Sequence, residues 1–116
     1  MNNILQFVEK VTKNPSSITF TETIAIIDSN YNFIPTAFKN GNHFNNVNEN
    51  NGSCKIFTFA KINNLNKEAT LTLFGSYYFE DVLKKTNGSD HQNIRNFMIF
   101  GWDEIAFDGD ALQFKL

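Results

Sequence analysis

The chain is cut into short lengths by its own turn chemistry. Asn14-Pro15, Asn40-Gly41, the polar run 45–53, Gly75, the run 86–89 and Asp108-Gly109 all carry residues that end or reverse regular structure. Pro fixes its own φ and pushes the residue before it out of the α region. Gly, and to a lesser extent Asn and Asp, accept positive φ. Such spacing leaves room for helices of a few turns and for short strands.

Between those breaks the apolar residues set the element type. In 3–13, Ile4, Leu5, Val8 and Val11 fall on one helical stripe that Asn14-Pro15 ends. Thr19 or Thr21 caps a second helix, with Phe20, Ile24, Ile27 and Tyr31 toward the core. Residues 31–46 read as extended chain. There Asn40-Gly41 predicts a two-residue type I′ hairpin turn that sets Phe38 opposite His43, and Pro35 marks an edge or a strand end. Ser53 is the expected cap of a third helix, with Ile56, Phe57, Ala60 and Asn63 on the 3.6 period. A strand remains the alternative there, because Phe57 and Phe59 also alternate with Ile56 and Thr58.

Asn66 is expected to cap a fourth helix through Lys85, with Leu71, Phe74, Tyr78 and Leu83 inward. Gly75 either costs that helix about 1 kcal/mol or breaks it. Ser89 and Gln92 have the spacing of a capping box, which opens a fifth helix. Asp108-Gly109 predicts a hairpin with Ile105 and Phe107 on one arm and Leu112, Phe114 and Leu116 on the other. The sum is one α+β domain over 1–116. About five helices pack on a small curved antiparallel sheet built from hairpins near 33–46 and 104–116.

Composition decides which functions are open. Thirteen Phe among 116 residues supply a large buried area for so short a chain. Asn is more abundant still, and is assigned mainly to the bias of an AT-rich genome. The net charge of -2 and the scattered Lys argue against nucleic acid as a partner. No run reaches the roughly 20 apolar residues of a membrane span, so no membrane partner is expected. A single Cys makes no intrachain disulfide, which favours a reducing, cytoplasmic location.

Three blocks carry a resemblance: "ENNGSCKIFTFAKINNL", "LFGSYYFEDVL" and "DHQNIRNFM" followed by "GWDEIAFDG". In this order they resemble the HopJ type III effector family, from about Ile18 to the C-terminus. That family is named for a plant-pathogen protein linked to type III secretion, and similar proteins occur widely in bacteria that infect nothing. The resemblance implies a fold and an effector label. It brings no reaction, cofactor or catalytic residue. Secretion leaders of this type tend to be Ser-rich and unstructured. The amphipathic start of this chain therefore favours a cytosolic role over export.

Polar chemistry concentrates in "SDHQNIR". Asp90 suits the first turn of a helix, and His91 and Arg95 stand one turn apart beside the apolar stripe of Ile94, Phe97 and Met98. An imidazole at a helix N-terminus next to Arg is expected to resist protonation, and so to serve as a base or a ligand acceptor. Arg95 is the sole Arg, and its planar five-donor fork suits a carboxylate. An internal one, such as Asp103 or Asp108, is favoured over an external one. Trp102 is expected to end the fifth helix and pack under the hairpin, and with Asp90 it completes the predicted ligand site of His91 and Arg95.

Cys54, if it sits in a first helical turn, could pair with His43 or His91 as a catalytic thiolate. Packing as a small hydrophobe is its first reading. His43 and His91 lack metal-ligand spacing, and a mixed site with Asp90 or Glu49 has no support, so no metal or cofactor is expected. Gly52 and Ser53 could cradle an anion ahead of a helix, although the phosphate-loop pattern is missing. The leading reading is a cytosolic binding or interaction domain for a protein or a small molecule. An enzyme using Cys54 with His91 and a secreted effector are the alternatives.

Overall fold

The computed structural model describes residues 2–115. Helix α1 (Asn2–Lys13) buries Ile4, Phe7 and Val11. Leu5, expected on that stripe, is 71% exposed, because Phe7 takes the inward position. A 3-10 turn at Pro15–Ser17 leads to α2 (Phe20–Asn30), which a full capping box of Thr19 and Glu22 opens. The short strands β1 (Tyr31–Phe33), β2 (Phe38–Asn40) and β3 (His43–Asn45) follow.

Helix α3 (Asn51–Ile62) is the centre of the molecule. Its Cys54, Ile56, Phe57, Phe59 and Ala60 are fully buried, while Lys61 and Ile62 at its end reach solvent. Phe57 alone faces the rings of Phe38, Phe74 and Phe97 at 4.8–6.2 Å. The helical reading of this stretch is the correct one and the strand alternative is not, but the start is displaced. Asn50 precedes α3 in the left-handed region, so the helix begins two residues ahead of Ser53, and no side chain caps it.

Helix α4 (Lys67–Thr72) is capped by Asn66 as expected, but it stops early. Gly75 has φ +60, and a Cβ there would stand 2.7 Å from the backbone nitrogen of Phe20. The close approach of α2 and the positive φ both demand glycine, so the expected long helix is broken there. A π-helical turn (Tyr77–Val82) replaces its second half and leaves Leu83 41% exposed. Helix α5 (Gln92–Phe100) and a 3-10 turn (Gly101–Glu104) lead into β4 (Ile105–Phe107) and β5 (Leu112–Phe114).

The expected hairpin of β4 with β5 does not form. β4 pairs with β2 and β5 with β1, both antiparallel. Across the interval between the two ladders, Ile34 N–H donates to Ala111 O (2.8 Å) and Asp108 N–H to Ala37 O (3.0 Å). Segments 31–40 and 105–114 thus form one antiparallel ribbon in a single register, interrupted around Pro35. Leu116, assigned to this hairpin from sequence, lies outside the described residues.

The first hairpin does form, but with Gly41-Asn42 as its loop. Asn40 faces His43 and Phe38 faces Asn45. Gly41 has φ +62, whereas Asn42 keeps a negative φ, so the loop follows the II′ pattern with glycine first. This register turns Asn40 and Asn45 inward beside Phe38.

Candidate functional site

The polar groups singled out in the sequence belong to two neighbouring constellations. The first is a staple around Arg95. Its Nε donates to Asp90 O (2.6 Å), Nη1 to Lys85 O (2.8 Å), and Nη2 to Asp90 Oδ1 (2.7 Å) and Asp81 O (3.4 Å). The internal carboxylate is therefore Asp90, not Asp103 or Asp108. The fork closes locally on the loop that leads into its own helix. Its hydrogen bond holds the Asp90 carboxyl below the usual carboxylate range. The guanidinium is spent on fixing that loop.

The second constellation is a cleft of about 440 Å³. His43, Asn50, Gly52 and Ser53 contribute to it, as do Phe20, Tyr77 and His91. The first turns of α3 and α5 both open into this space. The residues ahead of them share one unusual backbone: Asn50 at φ 55, ψ 47 and His91 at φ 51, ψ 50. A residue preceding a helix is ordinarily extended, and its side chain then caps the free N–H groups. Here neither helix receives a side-chain cap.

The capping box expected from Ser89 and Gln92 is absent for the same reason. The left-handed step at His91 directs the chain away from Ser89, and the Gln92 side chain donates to Asn96 Oδ1 (2.8 Å) instead. Asparagine adopts left-handed backbone with little strain, while histidine pays about 1 kcal/mol or more. His91 is held there by its surroundings. Its Nε2 lies 3.0 Å from Asp81 Oδ2 and 3.8 Å from Asp90 Oδ2, and its ring is 5.0 Å from that of Tyr77. Carboxylates face this ring, so the expected setting of helix start and Arg is incomplete. The imidazole expected to serve as a base or a ligand acceptor is engaged at Nε2.

Beneath the cleft lies a buried amide cluster that links the first hairpin to α5. Asn93, 5% exposed, accepts from Asn40 Nδ2 (3.1 Å) and Asn45 Nδ2 (3.2 Å) and donates to Asn45 Oδ1 (2.9 Å). Asn50 Nδ2 also reaches Asn45 Oδ1 (2.7 Å), and Asn96 Nδ2 holds Asn40 O (2.9 Å) and Asn42 Oδ1 (3.0 Å). Sequence reasoning assigned these asparagines to composition. The missed signal was that Asn93 and Asn96 share the inner face of α5 with Ile94 and Phe97.

Trp102 and Cys54 stand apart from the cleft. Trp102 packs edge-on against Phe97 at 5.0 Å, and its Nε1–H donates to Leu65 O (3.0 Å), which fixes the end of α5. Cys54 is completely buried, with Sγ 3.6 Å from Thr36 O, and burial pushes its thiol pKa up. The expected first-turn thiolate is therefore not what the fold provides. The helix starts earlier than Ser53 implies, and Cys54 faces the core. Among the described residues no three His, Cys, Asp or Glu side chains group as a metal site requires. No helix among them is long and apolar enough to cross a membrane.

Comparison with known proteins adds a lineage without a chemistry. Residues 4–112 match the family model described as HopJ type III effector protein. The crystal structure of the unknown function protein VPA0580 is similar, with 53% sequence identity and a TM-score of 0.94. The match covers 96% of this chain and 92% of that one. No curated protein matches the chain.

Proposed function

We propose that this chain, which belongs to the HopJ type III effector protein family, is a small cytosolic binding domain whose ligand sits in the cleft between the starts of α3 and α5. The ligand presents an acidic group to that cleft. One observation carries the reading: two helix starts without side-chain caps meet His43, Ser53 and Asn50 around one cavity. Free first-turn N–H groups and the positive ends of two helix dipoles favour an acceptor with negative charge. Of the nearby carboxylates, Asp90 is matched by the Arg95 guanidinium and Asp81 is hydrogen-bonded to His91 Nε2. In this reading His91 and Arg95 shape the site, with Asp90 as the link between them, and Trp102 steadies the far end of α5. Cys54 takes no part, which removes the support for thiol catalysis.

The test is an NMR titration of isotope-labelled protein with acetate and with inorganic phosphate. Shifts concentrated at the amides of 51–53 and 92–94 and at the His43 ring are expected. Shifts spread evenly over the surface, or none, overturn the reading. Export as an effector rests on the family's description alone. Fusion of residues 1–13 to a reporter in a strain with a type III system tests it directly.

A further inference from the structure

We infer that the ligand of this cleft carries a planar aromatic or heteroaromatic ring attached to its acidic group. The inference rests on the cleft reading above and names the class of molecule that fits it. One side of the cleft is a row of rings. Phe20 meets Tyr77 edge-on, with centroids 5.0 Å apart and planes at 70°, and Tyr77 in turn lies 5.0 Å from His91 at 38°. All three rings line the cavity.

Each ring is held by a separate device. Phe20 is the first residue of α2, directly after the Thr19–Glu22 capping box. Gly75 lets the backbone before Tyr77 touch that same helix start. Tyr77 opens the π-helical turn, whose wider winding is a recurrent feature of binding sites. His91 is tied through Nε2 to Asp81 in that turn. The row is therefore preformed, and ordering it on binding costs little.

Tyr77 nevertheless stays 41% exposed, so part of its ring is open to a ligand. Ring pairs prefer offset or edge-on contact at 4.5–7 Å. A planar group entering the cleft can take that position against Tyr77 and His91. The acidic end then reaches the polar lining at His43, Asn50 and Ser53. A bare inorganic anion would use the polar lining and leave the ring row uncovered. The cavity of about 440 Å³ lies within the range of small-molecule sites and suits one ring with its substituent.

Three probes separate the terms: benzoate (ring and acid), acetate (acid alone) and benzyl alcohol (ring alone), each titrated against the labelled full chain. Benzoate is expected to bind about tenfold more tightly than acetate, the increment of one good ring contact. Benzyl alcohol should be weaker than benzoate. In Tyr77→Leu, which keeps apolar bulk at a half-exposed position, the preference for benzoate over acetate should disappear. Tyr77→Phe should keep the preference. The amide spectrum of each variant reports whether it is folded. Equal affinity for benzoate and acetate, or a preference that survives Tyr77→Leu, overturns the ring inference and leaves the acidic-ligand reading standing. No response from any probe at 51–53, 92–94 and His43 overturns both.

Discussion

Asn93→Ala should cost about 2 kcal/mol, and most of that loss should be shared with Asn45. The side-chain amide of Asn93 makes three buried hydrogen bonds, two to Asn45 and one to Asn40. Each contributes about 1 kcal/mol net. The partners are not stranded by the change. Asn40 Nδ2 keeps Asn93 O at 2.8 Å, Asn45 Nδ2 keeps Phe38 O at 3.3 Å, and Asn45 Oδ1 keeps Asn50 Nδ2 at 2.7 Å. The full desolvation penalty of a bare buried group therefore does not apply, and alanine recovers roughly 0.5 kcal/mol of helix propensity. A chain of this length should lose roughly 8 °C of Tm. Urea unfolding followed by the fluorescence of Trp102, which packs against the same helix at Phe97, gives the free energy. A double-mutant cycle with Asn45→Ala should return a coupling of about 1–2 kcal/mol. A loss below about 0.5 kcal/mol, or strict additivity, would refute the view that the amide cluster fastens the hairpin to α5.

Three further outcomes follow from single groups. Tyr31 is 2% exposed, and its buried hydroxyl has no partner, so Tyr31→Phe should hold or raise stability by about 1 kcal/mol; a comparable loss in a thermal melt contradicts the assignment. Cys54 should resist iodoacetamide at neutral pH in the folded protein and react fully in urea, since burial raises its pKa; rapid native alkylation, read by mass spectrometry, would show that the thiol is accessible. Asp90 has a depressed pKa from the Arg95 hydrogen bond, so its contribution is present above the ordinary carboxylate value of about 4 and is lost as pH falls through the lowered value. The protection of the Gly88 and Arg95 amides, taken as the slowing of exchange relative to the intrinsic rate at each pH, should therefore fall in acid, and Asp90→Asn should show the lowered protection already at neutral pH. Insensitivity of both amides to acid and to the substitution would count against the staple.

Local signals in the sequence were read correctly wherever nothing distant competed with them. The Thr19 and Asn66 caps, the Asn14-Pro15 stop and the inward Phe57 depend on neighbours within a turn. The errors at the second hairpin and at the start of α5 share one cause, which is competition from outside the local stretch. Asp108-Gly109 favours a hairpin by itself, but the ladder groups of 105–114 find partners in 31–40. Ser89 and Gln92 match a capping box, yet the contacts of His91 with Asp81 and Tyr77 select a left-handed step that a short-range pattern does not encode. Arg95 was legible as a carboxylate binder, and its partner was not: Asp103 and Asp108 were the expected carboxylates, whereas the loop before α5 folds back to present Asp90. The cleft was glimpsed in pieces, at His91 and at Gly52-Ser53. Only the tertiary structure shows that these pieces share one cavity.

The split ribbon has a kinetic consequence. Its two arms come from distant parts of the chain, so the sheet cannot close until residue 114 has left the ribosome. Until Ile105 emerges, 31–40 has only β3 beside it, and the newly made chain presents an open strand edge during most of its synthesis. High contact order of this kind slows the final step and rewards the helices that assemble first around Phe57. Early termination before Ile105 should therefore yield a collapsed, aggregation-prone polypeptide.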